Sequence, residues 1–388
     1  MWIAVLVLVV GFLAVATVTQ LFGYRLGGTI TVPVLAVYTL WEFVTLPVFL
    51  LSTVTAYVGL SLFRRRTLVY GRDELVAAIL VGSLVPLGMF LILLEAGSAV
   101  GDVAFIGSIL PGLAAYNYYR LDPELRRGDL LATVGLFVAL FGLGWLLVSP
   151  DLVVRYGLAT PPVLFSRTAD VAQYRAAVVD RALVPVVVPR AIAVSLFAAG
   201  FALSEVFRER YGVRVGVIVP VLLALYLLAN RWLLVMYVIA GVFAFGFAQT
   251  VHYLTLRYGR VLLGVTIAVA VSTVVPLSLT FPVERGLSAI FVGILAGVTA
   301  YNAHASPPIE RRLVVPLQLA VFVPSLLVAR LFGPPVDRGV PETLGPTTLA
   351  VAGLLLALSV ATARVYVVRK PSDREVRSES VLSLEDRP

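Results

Sequence analysis

Polar residues in this chain fall at regular breaks between long apolar runs. Leu75 to Leu94, Leu130 to Ser149, Trp232 to Val251 and Val261 to Val283 carry no charged residue, and each reaches the roughly 20 residues a helix needs to cross a bilayer. Helices are the default there, because the lipid interior leaves backbone groups no other partner. The pattern predicts spans over 2–22, 29–41, 44–63, 74–95, 103–117 and 129–149. A second set covers 190–207, 215–229, 231–251, 261–283, 287–302 and 312–332, and a last helix covers 346–367.

The polar breaks repeat. Ala115-Tyr116-Asn117, Pro123 and Arg126-Arg127 return at an offset of 185 as Ala300-Tyr301-Asn302, Pro308 and Arg311-Arg312, six identities in thirteen positions. Tyr70-Gly71-Arg72 returns as Tyr258-Gly259-Arg260 at an offset of 188, and Val32-Pro33-Val34-Leu35 as Val219-Pro220-Val221-Leu222 at 187. Shared apolar composition does not produce such words, so the chain is a duplicated membrane unit whose function is expected between the copies. Six segments per copy is an even number, so the copies should point the same way. The predicted fold is all-α: a polytopic integral membrane protein with two parallel six-segment repeats and one C-terminal transmembrane helix, about 13 segments in all. It divides into a first repeat (1–149), an extracytoplasmic linker loop (150–189), a second repeat (190–333), the C-terminal helix (334–370) and a disordered cytoplasmic tail (371–388).

Composition excludes a water-soluble alternative. With 60% hydrophobic residues, 13% charged residues and a mean hydropathy of +0.98, too little polar surface remains to face water. Ala14-Val15-Ala16 resembles a signal-peptide cleavage site, but no basic region precedes it and the apolar run is long, so an uncleaved anchor is expected. The absence of cysteine removes thiolate metal sites and thiol nucleophiles. His252 and His304 are the only histidines and do not stand in a metal-binding spacing; each reads as a solvated or interfacial residue. Lys370 is the only lysine, so the positive charge is almost all arginine.

Arginine placement orients the spans. Arg25, Arg64 to Arg66, Arg72, Arg120, Arg126, Arg127, Arg208, Arg210, Arg214, Arg257, Arg260, Arg311, Arg312 and the tail fall on one side. Arg231, Arg285, Arg330 and Arg338 are all that the short loops of the other side receive. The positive-inside rule then puts the N-terminus outside and the C-terminus in the cytoplasm of a multi-pass plasma-membrane protein. The 150–189 loop carries Arg155, Arg167, Arg175 and Arg181 against this bias, but long loops weigh less.

Four segments, 29–41, 103–117, 215–229 and 287–302, are short for a full crossing. They hold matching places in the copies, with Pro33 and Pro220 in two and Pro111-Gly112 in a third. Short, interrupted segments at equivalent positions point to a central site, either as half-helices that re-enter or as tilted spans under thin cover.

Two sets of residues carry candidate chemistry. Arg64, Arg65, Arg66, Arg72, Arg126 and Arg127, with Arg260, Arg311 and Arg312 in the second copy, form an arginine rim suited to a carboxylate-rich substrate or an acidic partner. The simpler reading of Tyr70-Gly71-Arg72 and Tyr258-Gly259-Arg260 is a glycine-closed turn with arginine at a helix end. Tyr116-Asn117 and Tyr301-Asn302 are pore-mouth ligands or interfacial anchors. No phosphate-cradling loop, no paired carboxylates on one helix face and no nucleotide-holding domain are present. Glu42, Glu95, Asp102 and Glu205 lie near predicted span ends, whereas ion-driven pumps place carboxylates at mid-membrane. A conduit or assembly platform without cofactor or metal fits better, and nothing points to nucleic acid.

Leu68-Val69-Tyr70-Gly71-Arg72, an apolar helix and then Ile109-Leu110-Pro111-Gly112-Leu113-Ala114 resemble the membrane subunit of poly-gamma-glutamate synthesis, the PgsC/CapC family. Gly28-Thr29-Ile30-Thr31-Val32-Pro33 is similar to that family's segment after its first helix. The resemblance covers about residues 5–149 and, more loosely, 190–332, with Ala296-Gly297 where the first copy has Pro111-Gly112. It implies a non-catalytic subunit of a capsule polymer synthesis and export complex, acting on an anionic polymer beside a separate ATP-dependent amide ligase. It supplies no catalytic residue. A stand-alone transporter of a small molecule and a non-transporting scaffold are the alternatives.

Overall fold

The computed structural model describes residues 1–66, 72–95, 109–180, 192, 195–196, 199–200, 203, 206, 218–333 and 338–365. Tyr70-Gly71, the start of the 103–117 segment, most of the 190–207 segment and the tail lie outside the described residues. Among the described residues the chain forms α-helices and no strand. The first copy comprises α1 (Trp2–Phe22), α2 (Thr31–Trp41), α3 (Thr45–Arg66), α4 (Arg72–Glu95), α5 (Ile109–Tyr119) and α6 (Arg126–Leu147). Two short helices, α7 (Pro150–Tyr156) and α8 (Asp170–Tyr174), lie in the linker. The second copy gives α9 (Ile218–Ala229), α10 (Trp232–Thr255), α11 (Gly259–Thr280), α12 (Gly286–Ala305) and α13 (Pro308–Phe332), and α14 (Pro346–Val365) follows. Eight of these helices are long and apolar enough to cross a membrane.

One of the four short segments is not short. The 287–302 segment belongs to α12, which runs 20 residues from Gly286 to Ala305. α2 does stay at 11 residues, and the described part of the 215–229 segment is the 12-residue α9. α2 is buried from Thr31 through Leu40, and α9 is buried over most of its length. At 1.5 Å rise per residue such helices span about 17 Å, well short of a bilayer, and they are tolerated because protein rather than lipid surrounds them.

The chain separates into two compact units, one of residues 1–185 with 232–304 and one of 186–231 with 305–388. In the first unit α3, α4 and α5 form a triad, and α10 packs on α11 beside α12 in the same way. Small residues set both triads. Ala56, Ala78 and Ala115 are fully buried in one, and Ala240, Ala244, Ala270 and Ala296 in the other. Ala56 and Ala244 are equivalent at offset 188, and Ala115 and Ala300 at offset 185. Lipid tails are as apolar as side chains, so helix contact in a membrane depends on close backbone approach, which small residues permit.

α1 lies against α2 and α6 of its own copy and against α11 of the other. A Cβ added at Gly264 of α11 would lie 3.1 Å from the Phe12 carbonyl oxygen and 3.4 Å from the Ala16 Cβ of α1. Gly11, on the opposite side of α1, admits Pro33 of α2, whose Cβ would be 2.7 Å from a Cβ there.

The linker is folded over one end of this unit. Val163, Leu164, Phe165, Val171 and Ala172 are buried. The Phe43 amide donates to Asp170 Oδ2 at 2.7 Å, Trp41 Nε1 donates to Thr168 Oγ1 at 3.2 Å, and Arg175 Nε donates to the Val148 carbonyl at 3.1 Å. Asp170→Ala should therefore free this cap. We expect limited proteolysis between residues 150 and 180 to accelerate about tenfold, in line with about 1.4 kcal/mol for a hydrogen bond to a charged acceptor. An unchanged cleavage rate would show that the cap holds without Asp170.

In the second unit α13 packs on α9 and on α14. Ser359 of α14 donates to the Pro316 carbonyl of α13. Arg330 donates to the carbonyls of Pro341, at 2.8 Å, of Gly333 and of Glu342, while the Val340 amide donates to the Leu227 carbonyl at 3.1 Å. The end of α9 is thus closed by the segment after α13.

Candidate functional site

The repeated polar words meet across the copies. Asn117, near the end of α5, is 7% exposed. Its Nδ2 donates to the Gly27 carbonyl at 3.2 Å and to the Leu113 carbonyl at 2.9 Å. Both donor hydrogens are thereby used on the backbone, which turns Oδ1 the other way. There it accepts from Arg260 Nη2 at 2.7 Å, at the start of α11. Arg260 is half-buried, and its second terminal nitrogen, Nη1, is buried with no hydrogen-bond partner. The contact also fixes direction. α5 ends and α11 begins at this point, so the two triads run parallel.

Around the pair stand groups that the sequence did not single out. Asp129, in the first turn of α6, is 1% exposed, and its Oδ1 accepts from the amides of Arg25 at 2.6 Å and Leu26 at 2.8 Å. That bond fixes a sharp turn, because Leu26 has a positive φ of 49° and is followed by Gly27 and Gly28 at 64° and 117°. Gly28 passes close to Asn117, whose Nδ2 would lie 2.9 Å from any Cβ there. The charges of Arg25 and Arg120 act against Arg260 and that of Asp129 acts with it. Arg120 Nη1 donates to the Tyr116 hydroxyl at 2.8 Å. Glu74 of α4 is buried, with one carboxylate oxygen unpartnered, and lies within electrostatic reach of Arg120. α2 starts at the same turn, so its dipole adds positive potential. A one-residue glycine or a lone aspartate carries no periodicity, which is why this turn escaped the sequence reading.

The other predicted residues divide by surroundings. Arg126 is a cap: its Nε donates to the Leu121 carbonyl at 3.1 Å and its Nη2 to the Tyr119 carbonyl at 3.2 Å. Arg311 repeats this role, with Nε donating to the Ser306 carbonyl at 2.8 Å. Arg127 and Arg312, one residue on in each copy, are exposed. Arg64, Arg65 and Arg66 are exposed at the end of α3, with Arg64 lying 5.4 Å above the Tyr119 ring. Tyr258 and Asn302 are exposed and Tyr301 is half-buried. Arg72 is the first residue of α4, and Tyr70-Gly71 before it lies outside the described residues. Pro111 lies in the first turn of α5 without breaking it, and Gly112 faces α4, where a Cβ would be 2.5 Å from Ile79 Cα. Gly297 holds the equivalent place, 2.6 Å from Ile267 Cα.

The two histidines are also partners. His252 and His304 pack edge to face with ring centroids 4.9 Å apart. They occupy the second-copy positions of Arg64 and Tyr119 at the same two offsets, so one interhelical contact is built from different side chains in each copy.

The fold and the duplicated polar end define a polytopic, internally repeated membrane protein with an arginine-bearing face. The sequence matches the family described as Capsule biosynthesis CapC over residues 10–127 and again over 199–312, and the chain belongs to that family as a tandem duplicate. No curated protein and no solved structure matches it. It is therefore a capsule-biosynthesis membrane protein, with one family unit per copy.

Proposed function

We propose that the protein is the membrane subunit of a poly-gamma-glutamate synthesis and export complex, a platform or conduit beside an ATP-dependent amide ligase. The observation that carries this reading is the match of both copies to the capsule-biosynthesis family. The clustering of Arg25, Arg120 and Arg260 at one end, with exposed Arg64, Arg65, Arg66 and Arg127 in the same unit, supports it. We place this end in the cytoplasm and the N-terminus outside, following the arginine distribution. The sequence holds no phosphate-cradling motif, so the energy for amide formation is assigned to the ligase.

The test is a pull-down of the detergent-solubilised protein from its native membranes, with retained proteins identified and bound glutamate polymer assayed after acid hydrolysis. An ATP-dependent amide ligase or glutamate-rich polymer in the eluate supports the reading. A protein that emerges alone and polymer-free favours a stand-alone transporter. Arg64, Arg65 and Arg66 replaced together by glutamine should lower ligase recovery about tenfold, because three exposed charge pairs at a few tenths of a kcal/mol each approach 1.4 kcal/mol. Membrane abundance should not change. Equal recovery would move the docking surface away from α3.

A further inference from the structure

We propose that Arg260, Asn117 and Arg25 form a carboxylate-binding site that exists only when the two copies are assembled. Its ligand class, a carboxylate of a gamma-linked glutamyl chain, rests on the function proposed above. The site itself rests on geometry.

A guanidinium presents a planar fork, and its strong partners are oxyanions that take both prongs. Here one prong is used by a neutral amide oxygen at 2.7 Å and the other, Nη1, is buried without a partner. Burying a charge without an ionic partner is unfavourable, and the surroundings do not relieve it. Among the described residues Arg25 and Arg120 act against Arg260 and the carboxylate acting with it is Asp129, while Glu74 acts on Arg120. Oδ1 of Asp129 already receives two backbone amides. The unpartnered prong lies beside the like charges of Arg25 and Arg120, and an added carboxylate would meet both.

The polar neighbours are fixed rather than adaptable. Asn117 cannot rotate its amide without losing the Gly27 and Leu113 bonds. Gly28 has no side chain to cover the cluster, and the turn that carries it is tied to Asp129. Asn117 comes from the first copy and Arg260 from the second, so an unpaired copy has half of the site. The second copy's own Asn302 is exposed, whereas Asn117 is buried.

The experiment uses the full chain in zwitterionic phosphatidylcholine nanodiscs. Binding is measured for fluorescently end-labelled gamma-linked pentaglutamate, for glutarate by competition, and for inorganic phosphate by competition. Parallel discs contain phosphatidylglycerol. Wild-type protein should bind the pentaglutamate, and R260Q should weaken it about tenfold to a hundredfold, as expected for loss of a charge-assisted fork. R260K should lose part of the affinity. N117D should lose as much as R260Q, because the new carboxylate occupies the fork; it also decides the matter if R260Q does not fold. R155Q, on α7 at the linker, should bind as wild type. Pentaglutamate bound equally by wild type, R260Q and N117D overturns the site and leaves the polymer function standing. Glutarate bound through Arg260 without pentaglutamate supports the site and removes the polymer reading. Preference for phosphate, loss of pentaglutamate binding in phosphatidylglycerol discs, or no binding by wild type overturns the carboxylate assignment.

Discussion

Gly112→Val should destroy the monodisperse, folded protein in detergent, and Gly297→Val should do the same in the second copy. A Cβ at Gly112 would sit 2.5 Å from Ile79 Cα and 2.6 Å from the Ala78 carbonyl oxygen. Those are main-chain atoms of α4, so no side-chain rotation relieves the overlap. Overpacking a formed core costs about 1–3 kcal/mol when side chains can shift; against backbone the upper end is expected, about 3 kcal/mol for valine. Gly297 meets Ile267 Cα at 2.6 Å, the same crossing 185 residues later. Thermal unfolding followed by size-exclusion chromatography measures both variants. If Gly112→Val melts with wild type, α5 does not cross α4 through this glycine, and the triad is wrong.

The second large effect is expected at Asp129. Asp129→Ala leaves the amides of Arg25 and Leu26 without their acceptor, and an orphaned buried donor costs about 1–3 kcal/mol. Release of Leu26 from its positive φ of 49° offsets about 1 kcal/mol of the cost of orphaning the two amides. A loss of about 3 kcal/mol is expected for the alanine variant. Asp129→Asn retains an acceptor oxygen, and about 1 kcal/mol is expected there. The ordering is the check, by thermal unfolding in one detergent. Equal stability for the two variants would mean that the Arg25-Leu26 turn stands without the side chain.

What could be read from residues alone follows from which forces leave a linear trace. Hydrophobic run length did, so α3, α6, α10, α11 and α13 lie within a few residues of expectation. The duplicated words did too, and Asn117 and Arg260 from two of them are in contact. Helix pairing did not, because lipid offers no hydrophobic contrast between neighbours, and a buried alanine such as Ala244 looks like any other. That Arg126 and Arg311 cap a turn depends on carbonyls five residues back, and their charge alone suggested a rim. The linker looked like a plain loop because its buried apolar groups, Val163 to Phe165 and Val171-Ala172, are runs of two or three residues, too short to show a helical period.

The α1–α11 contact also bears on how the chain is made. Phe12 and Gly264 are 252 residues apart, and at roughly 5–20 residues per second the ribosome takes about 13–50 s to deliver the partner. Through that interval the face of α1 that admits Gly264 has only lipid or the insertion machinery to cover it. Two unfused copies would need this contact between separate chains, at the mercy of their dilution in the bilayer. Tethering replaces that encounter with an intramolecular one at a fixed effective concentration, so a halved gene should yield two fragments that insert yet mature slowly and in proportion to their joint expression.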